Sequence, residues 1–312
     1  MKSVELSIII VSWNVRDYLA RCLDSIAESL RLAPLSTEII VVDSASNDGT
    51  VELLKEAYPY VGTLPQSENV GFTRGNNIGL AAAQGEFLFL LNPDTEVRGT
   101  ALAEMVSYLR EHPQVGILGA HTLNTDGTHQ STRRRFPTLL ISLLESTWLQ
   151  PYAPRGLLDR FYFRDVADTA IARVDWVQGS ALMLRRAVYE QIGGLDEGYF
   201  MFSEEVDFCK RAKLAGWEVV YHGGVYVVHH GGKSTEQASL VKQIHFQRGK
   251  VRYLRKFHGV GAATVLRAFL IVSYAQQLSL EALKGALGSK RPLRRERVQL
   301  YWQVIRALLN KT

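Results

Sequence analysis

Apolar and polar positions along the first 120 residues fall into blocks whose period switches back and forth. Leu6 to Ser12 reads LSIIIVS, a continuous apolar run ended by Trp13-Asn14. A run without alternation predicts a strand covered on both faces, as in a parallel sheet. From Arg16 to Leu30 the apolar residues Leu19, Leu23, Ile26 and Leu30 keep the spacing of a helix with one buried face. Glu38 to Asp43, EIIVVD, predicts a second buried strand, and the turn Asn47-Asp48-Gly49 leads into a helix from Thr50 to Ala57. A third strand is predicted over Val61 to Gln66 and a helix over Gly71 to Ala83. The strand Glu86 to Leu91 stops at Asn92-Pro93-Asp94, because proline cannot continue a central ladder. A helix from Thr100 to His112 and a strand from Val115 to Ala120 follow. About four strand–helix alternations predict right-handed βαβ units and a mostly parallel sheet.

The pattern then loosens. His121 to Arg173 carries Arg133-Arg134-Arg135, several prolines and the aromatics Trp148, Tyr152, Phe161 and Tyr162, and reads as a long irregular excursion with mobile parts. Regularity returns with Val174 to Leu184, helices over Arg186 to Ile192 and Glu204 to Ala215, and strands over Glu218 to Tyr221 and Val225 to Val228. After Thr235 the chain reads as helix to its end, broken near Gly288 to Pro292. The expected organisation is a catalytic domain over 1–235, with a nucleotide-binding half over 1–120 and an acceptor half over 121–235, and a basic helical region over 236–312.

Composition adds limits. At 312 residues and 46% hydrophobic the chain buries a sizeable core, and 21% charged residues make it globular rather than disordered. Cys22 and Cys209 lack metal spacing and read as small core residues in a reducing compartment. The N-terminus has no signal-peptide pattern. No run of about 18 uncharged apolar residues occurs, the longest candidate being Ala268 to Ala275, so a cytoplasmic protein without a membrane span, free or attached to the inner face of a membrane, is expected. Net charge is +5 with a pI near 9.1, and from Lys242 onward the only acids are Glu281 and Glu296. Such a tail suits an anionic lipid surface, or nucleic acid, or a solvated helix face; charge does not choose among them.

In an open parallel sheet, ligands bind at the carboxyl ends of the strands. Ser12-Trp13-Asn14, the segment Asp43 to Gly49, and Asn92-Pro93-Asp94 all fall at such ends. Asp43 and Asp94 are thus expected along one edge, one for a base or ribose and one for a divalent cation such as Mg²⁺ or Mn²⁺. Between them, Asn69 to Asn77 is a polar, glycine-bearing loop entering a helix, which favours anionic groups. Neither GxGxxG after the first strand nor GxxxxGK[ST] is present, so dinucleotide and P-loop readings lack their fingerprints. In GYFMFSEEVD, aromatics and a Met precede Glu204, Glu205 and Asp207. These acids read either as a solvated helix start capped by Ser203 or as a general base beside apolar residues. His229, ending a strand and followed by His230 and glycines, reads either as a structural histidine or as one that completes a metal site with Asp94.

The motifs LSIIIVSWN, EIIVVDSASNDGT, NVGFTRGNNIGL, FLFLLNPDTEV, VQGSALMLRR, GGLDEGYFMFSEEVDFCKRAKLAGW and VVHHGGKS together resemble glycosyltransferase family 2, in particular its rhamnosyltransferase-like branch, over roughly Ser3 to Thr235. The resemblance implies an α/β GT-A fold, a Rossmann-like central sheet flanked by helices, here with a C-terminal helical extension. It implies an inverting hexosyltransferase of cell-wall or polysaccharide synthesis that needs a divalent cation. It assigns Ser12, Trp13, Asn14, Asp43, Ser44, Arg74, Asn76, Asn92, Pro93 and Asp94 to the nucleotide, and Trp176, Gly179 and Ser180 to the acceptor side. Asp94 and His229 become metal ligands, with His230 as the fallback. Asn92 stands where the family's first metal-motif aspartate often is. The base falls on Glu205, with Glu204 and Asp207 as candidates, Glu205 standing where the family carries Asp. Implied partners are a dTDP- or UDP-linked sugar, a glycan or polyprenyl-linked acceptor and a membrane surface, with no nucleic acid. The competing readings are a nucleotidyltransferase on a similar sheet and a basic nucleic-acid-binding protein.

Overall fold

The computed structural model describes residues 4–231, 239–288 and 290–310. Gly232, Lys233, Ser234 and the expected boundary at Thr235 lie outside the described residues. The chain divides into two compact units. One comprises Met1–Phe136, Tyr162–Phe200 and Glu204–Gln237; the other comprises Pro137–Phe161, Met201–Ser203 and Ala238–Thr312.

The first unit is built on a sheet whose apolar runs are covered on both faces. Strands β1 (Leu6–Ser12), β2 (Thr37–Asp43), β3 (Gly62–Pro65) and β4 (Phe87–Leu91) are parallel neighbours in the order β3-β2-β1-β4. Every residue of β1 and β4 is buried, which is why neither shows alternation. Helix α1 (Arg16–Leu32) turns Leu19, Cys22, Leu23 and Ile26 into the core. Each of its large apolar side chains contributes about 1.5–3 kcal/mol by leaving water. The helices α2 (Thr50–Ala57), α3 (Gly71–Ala82) and α4 (Ala101–Glu111) complete the βα units. Helix α3 comes close to β1 through its glycines: a Cβ on Gly75 would meet Val11 Cγ1 at 2.7 Å, and one on Gly79 would meet Ile9 Cγ2 at 2.3 Å. Those glycines thus serve packing onto the sheet.

Beyond β4 the sheet becomes mixed. Strands β5 (Thr95–Val97), β6 (Val115–Leu123), β11 (Ala181–Arg185) and β12 (Glu218–His229) extend the order to β4-β11-β6-β12-β5. Strand β11 runs antiparallel to both β4 and β6, while β12 runs parallel to β6. The two strands expected over 218–228 are one strand, because β12 keeps its pairing with β6 across a register shift between His222 and Tyr226. The expected irregular excursion holds short elements: β7 (His129–Gln130) on β6, β8 (Arg133–Arg134) paired with β10 (Trp176–Val177), and β9 (Ile171–Arg173) on β12. The Arg133 side chain is 1% exposed. It donates to the Val166 carbonyl and Asp168 carboxylate at 2.6 and 2.9 Å and stacks on Tyr221. Arg134 stacks on Tyr162 and Trp176, and Arg135 on Phe163. This triplet, which prompted the nucleic-acid reading, is engaged inside its own unit.

The second unit is helical: α5 (Leu139–Leu144), α6 (Arg155–Phe161), α9 (Ser239–Ala286) and α10 (Arg291–Leu309). Helix α9 is broken at Gly259 (φ 89°, ψ 169°), a backbone position that favours glycine. Lys250 is held by Glu145, Trp148 donates to Ser273 Oγ at 3.1 Å, and Glu281 pairs with Arg294 across to α10. One stretch, Val241–Ala286, is long and apolar enough to cross a membrane by length and composition, and 28% of its most apolar part is buried. Charged residues such as Arg267 interrupt its apolar ones, so it contains no long uncharged run.

Candidate active site

Strand direction gathers the expected residues at one edge of the sheet. Ser12 and Asp43 are register partners at the ends of β1 and β2. Ile10 of β1 and Ala181 of β11 both pair with Leu91, the last residue of β4, so Asn92-Pro93-Asp94 leave the sheet where Gly179-Ser180 enter it. His229, at the end of β12, pairs with Thr95 of β5, the residue after Asp94.

Buried polar atoms without a hydrogen-bond partner collect at this edge: Ser12 Oγ, Asp43 Oδ1, Thr73 Oγ1, Asn92 Oδ1, Ser180 Oγ and, on the nearby α8 (Glu204–Leu214), Glu204 Oε2. Leaving such an atom unsatisfied costs about 1–3 kcal/mol, so their concentration marks a place built for a polar ligand. Around Asp43 the backbone is shaped for it. Asn14 and Ala45 hold left-handed φ of 53° and 59°. Asp43 Oδ2 accepts from Ser46 N at 3.0 Å, and Asn14 Oδ1 accepts from Asn47 N at 2.8 Å. Ser44 Oγ accepts from Val70 N at 3.0 Å and donates to Asn69 Oδ1 at 3.3 Å, tying the second strand end to the loop before α3. Gly71 (φ 77°) opens α3 where a Cβ would strike Phe200 at 2.6 Å. Asn76 is buried and donates back to the Phe72 carbonyl at 2.9 Å, while Arg74 stays exposed, 3.9 Å from Glu68. Trp13 is half-buried beside this edge.

Asp94 and His229 meet. His229 Nε2 lies 3.2 Å from Asp94 Oδ1 and 3.4 Å from Asn92 Nδ2, and both Asp94 and His229 are buried. Adjacent ligands on an octahedral ion with bonds of about 2.1 Å stand about 3 Å apart, so this oxygen–nitrogen pair fits a small divalent cation. Among the described residues no group of three or more His, Cys, Asp and Glu is arranged around one point. His230 is turned away: its Nε2 lies 2.7 Å from Glu96 Oε1, its ring meets Tyr18 edge-on, and its amide donates to the Asp94 carbonyl at 2.9 Å.

The three acids of α8 separate by environment. Asp207 is fully buried, 2.7 Å from Arg211 Nε; Arg211 also donates to the Ile192 and Gly194 carbonyls. That network fastens α8 to the loop after α7 (Arg186–Ile192). Glu204 is 4% exposed, and burial, with the Glu205 charge second, holds its carboxyl well above the usual carboxylate range. Glu205 is half-buried, its Cβ 3.8 Å from where a side chain on Gly179 would begin, with the Phe72 ring on the same glycine at 3.6 Å. A side chain on Gly179 would thus begin between the Phe72 ring and Glu205. Ser203 is not an extended cap: it and Phe202 hold φ of 74° and 68°, a left-handed pair just before the helix. Trp176 is buried and donates to the Arg135 carbonyl at 2.9 Å.

Sequence reasoning missed two contributors. Phe72 sits inside a segment read as a polar loop, where its apolarity was the available sign. Gln130 holds His229 from a two-residue strand, and no periodicity marks so short an element.

The family model "Glycosyl transferase family 2" matches residues 7–193. The N-acetylglucosaminyl-diphospho-decaprenol L-rhamnosyltransferase of Mycobacterium tuberculosis is 30% identical over 74% of this chain and 77% of its own length. Rhamnosyltransferase WbbL of Escherichia coli K12 is 28% identical over 72% of this chain and 82% of its own. Among solved structures, the mannosyltransferase PcManGT of Pyrobaculum calidifontis, in complex with GDP-Man and Mn²⁺, superposes with a TM-score of 0.57. It is 19% identical and covers 100% of this chain and 89% of its own, a likeness of fold.

Proposed function

The chain belongs to glycosyl transferase family 2 and is a hexosyltransferase of GT-A fold; from that premise we propose that it moves a sugar, rhamnose foremost, from a nucleoside-diphosphate donor to a hydroxyl of a glycan or polyprenyl-linked acceptor, inverting the anomeric carbon. The observation that carries this reading is the single sheet edge where unsatisfied buried polar atoms, the Asp94–His229 pair and the entry of β11 coincide. The names of the relatives, both rhamnosyltransferases and one acting on a decaprenol-linked sugar, support the finer choice of donor and acceptor.

In this reading Asp43, Ser44 and the Ser12 to Asn14 edge hold the base and ribose, with Arg74 beside the phosphates. Asp94 and His229 hold a divalent cation that, when bound, neutralises charge on the departing diphosphate. Burial holds the Glu204 carboxyl above the usual carboxylate range, and Glu205 is the more accessible of the two. The Glu205 carboxylate takes the acceptor hydroxyl proton. The hydroxyl oxygen forms its bond to the anomeric carbon from the face opposite the diphosphate, and that carbon's bond to the diphosphate oxygen breaks with its electron pair. Gly179 and Ser180 border the space the acceptor enters.

A thermal-shift panel of nucleoside-diphosphate sugars, with and without Mn²⁺, tests the donor. Stabilisation by dTDP-rhamnose that needs Mn²⁺ is expected, with nucleoside diphosphate released on turnover. Release of pyrophosphate, or no stabilisation by any member, contradicts the reading.

The second unit is proposed to rest on the inner face of a membrane. From Ser239 to Thr312 there are fifteen Lys and Arg against two acids, and Val260, Val272, Leu287 and Trp302 are exposed. The full chain is expected to float with vesicles containing anionic lipid and to be released by salt. Equal flotation with neutral vesicles, or none with either, argues against this.

A further inference from the structure

Gln130 sets the face that His229 shows to Asp94. His229 Nδ1 lies 2.7 Å from Gln130 Oε1, and Gln130 Nε2 donates to Asn124 Oδ1 at 2.9 Å. Asn124 Nδ2 donates to Thr128 Oγ1 at 2.9 Å, and that hydroxyl donates to Asp126 Oδ1 at 2.6 Å. The series has one polarity. An ionised carboxylate only accepts, so Thr128 gives it its proton and is left accepting. Asn124 must then turn its amide nitrogen to Thr128 and its oxygen to Gln130. Gln130 must turn its nitrogen to Asn124 and its oxygen to His229. His229 is thereby required to carry a proton on Nδ1. In the neutral ring Nε2 is then the lone-pair nitrogen, 3.2 Å from Asp94 Oδ1 and 3.4 Å from Asn92 Nδ2.

We propose that the β6–β7 hairpin, through Asn124 and Gln130, is a positioning arm that fixes the Nδ1–H tautomer of His229 and so presents its Nε2 lone pair, together with Asp94, to a divalent cation. The hairpin is built to hold this arrangement. Thr122 pairs with Gln130 and Leu123 with His129, and the Asn124 amide donates to the Thr128 carbonyl at 2.8 Å. Gly127 takes φ 82° at the tip, which a side chain would strain. Gln130 and Asn124 are both partly buried, while Asp126 and Thr128 at the hairpin tip are exposed. A metal-binding histidine that donates its other N–H to a fixed acceptor keeps its ring orientation and gains basicity. The inference rests on the metal reading of Asp94 and His229, yet the tautomer itself is observable without any metal.

The test compares Gln130→Leu, Gln130→Glu and His229→Ala in the full chain. Nitrogen-15 NMR of the histidine rings, without metal and at mildly alkaline pH, reads the tautomer. Mn²⁺ titration with dTDP present reads the affinity. Wild type and Gln130→Glu, which keeps an acceptor oxygen, are expected to show Nδ1 protonated. Gln130→Leu is expected to shift His229 toward Nε2–H and to weaken Mn²⁺ about 10–100-fold, the usual scale for such an outer partner. An unchanged His229 tautomer in Gln130→Leu overturns the inference. So does wild-type Mn²⁺ affinity in Gln130→Leu when His229→Ala has lost it. Wild-type Mn²⁺ affinity in His229→Ala with the tautomer shift intact instead overturns the metal reading and leaves the positioning of His229 standing.

Discussion

Glu205→Gln is expected to lower turnover at least about a hundredfold, the scale of a lost general base, with the fold and donor affinity kept. The amide matches the carboxylate in size, so the half-buried position of Glu205 is undisturbed. What changes is the ability to accept a proton. Glu204 is a poor substitute, because it is buried away from the acceptor side. Asp207 is no substitute either, since Arg211 and the fold of α8 occupy it. Steady-state rates of the purified variant, alongside its thermal midpoint, decide the matter. Near-normal turnover in a folded Glu205→Gln removes the assignment.

Asp94→Asn is expected to cut turnover by a similar or larger factor, about 10²–10³, but through the donor. Asparagine keeps the shape and loses the charge that a cation needs. The variant should therefore lose Mn²⁺-dependent stabilisation by nucleoside-diphosphate sugar, which Glu205→Gln should retain. Kinetics over a range of Mn²⁺ concentration distinguish the two. Full activity of Asp94→Asn at ordinary Mn²⁺ runs against an ion at this position.

Much of the sheet was legible because its strands are covered on both faces. Burial of every residue in β1 and β4 removes alternation and leaves continuous apolar runs whose ends carry the polar residues of the site. Asp43 and Asp94 could be set on one edge from that logic alone. What stayed hidden depends on pairing between distant segments. Antiparallel β11 brings Gly179 and Ser180 to Leu91, and β5 brings Thr95 to His229; local periodicity encodes neither. His229, preferred over His230 from the sequence, is the one that turns toward Asp94, while His230 pairs with Glu96. The arm that ends in Gln130 was lost in a stretch of two- and three-residue strands. The assignment of 137–161 and 201–203 to the helical unit was equally hidden, because it is made by contacts far apart in sequence.

The ion and the base are separate devices in this account, and one titration tests that separation. Mn²⁺ is added to folded wild type, Glu205→Gln and Asp94→Asn with nucleoside diphosphate present, and free Mn²⁺ is followed by its electron paramagnetic resonance signal. Binding as in wild type for Glu205→Gln, and its loss for Asp94→Asn, is the expected pattern. Undiminished binding by Asp94→Asn contradicts the account.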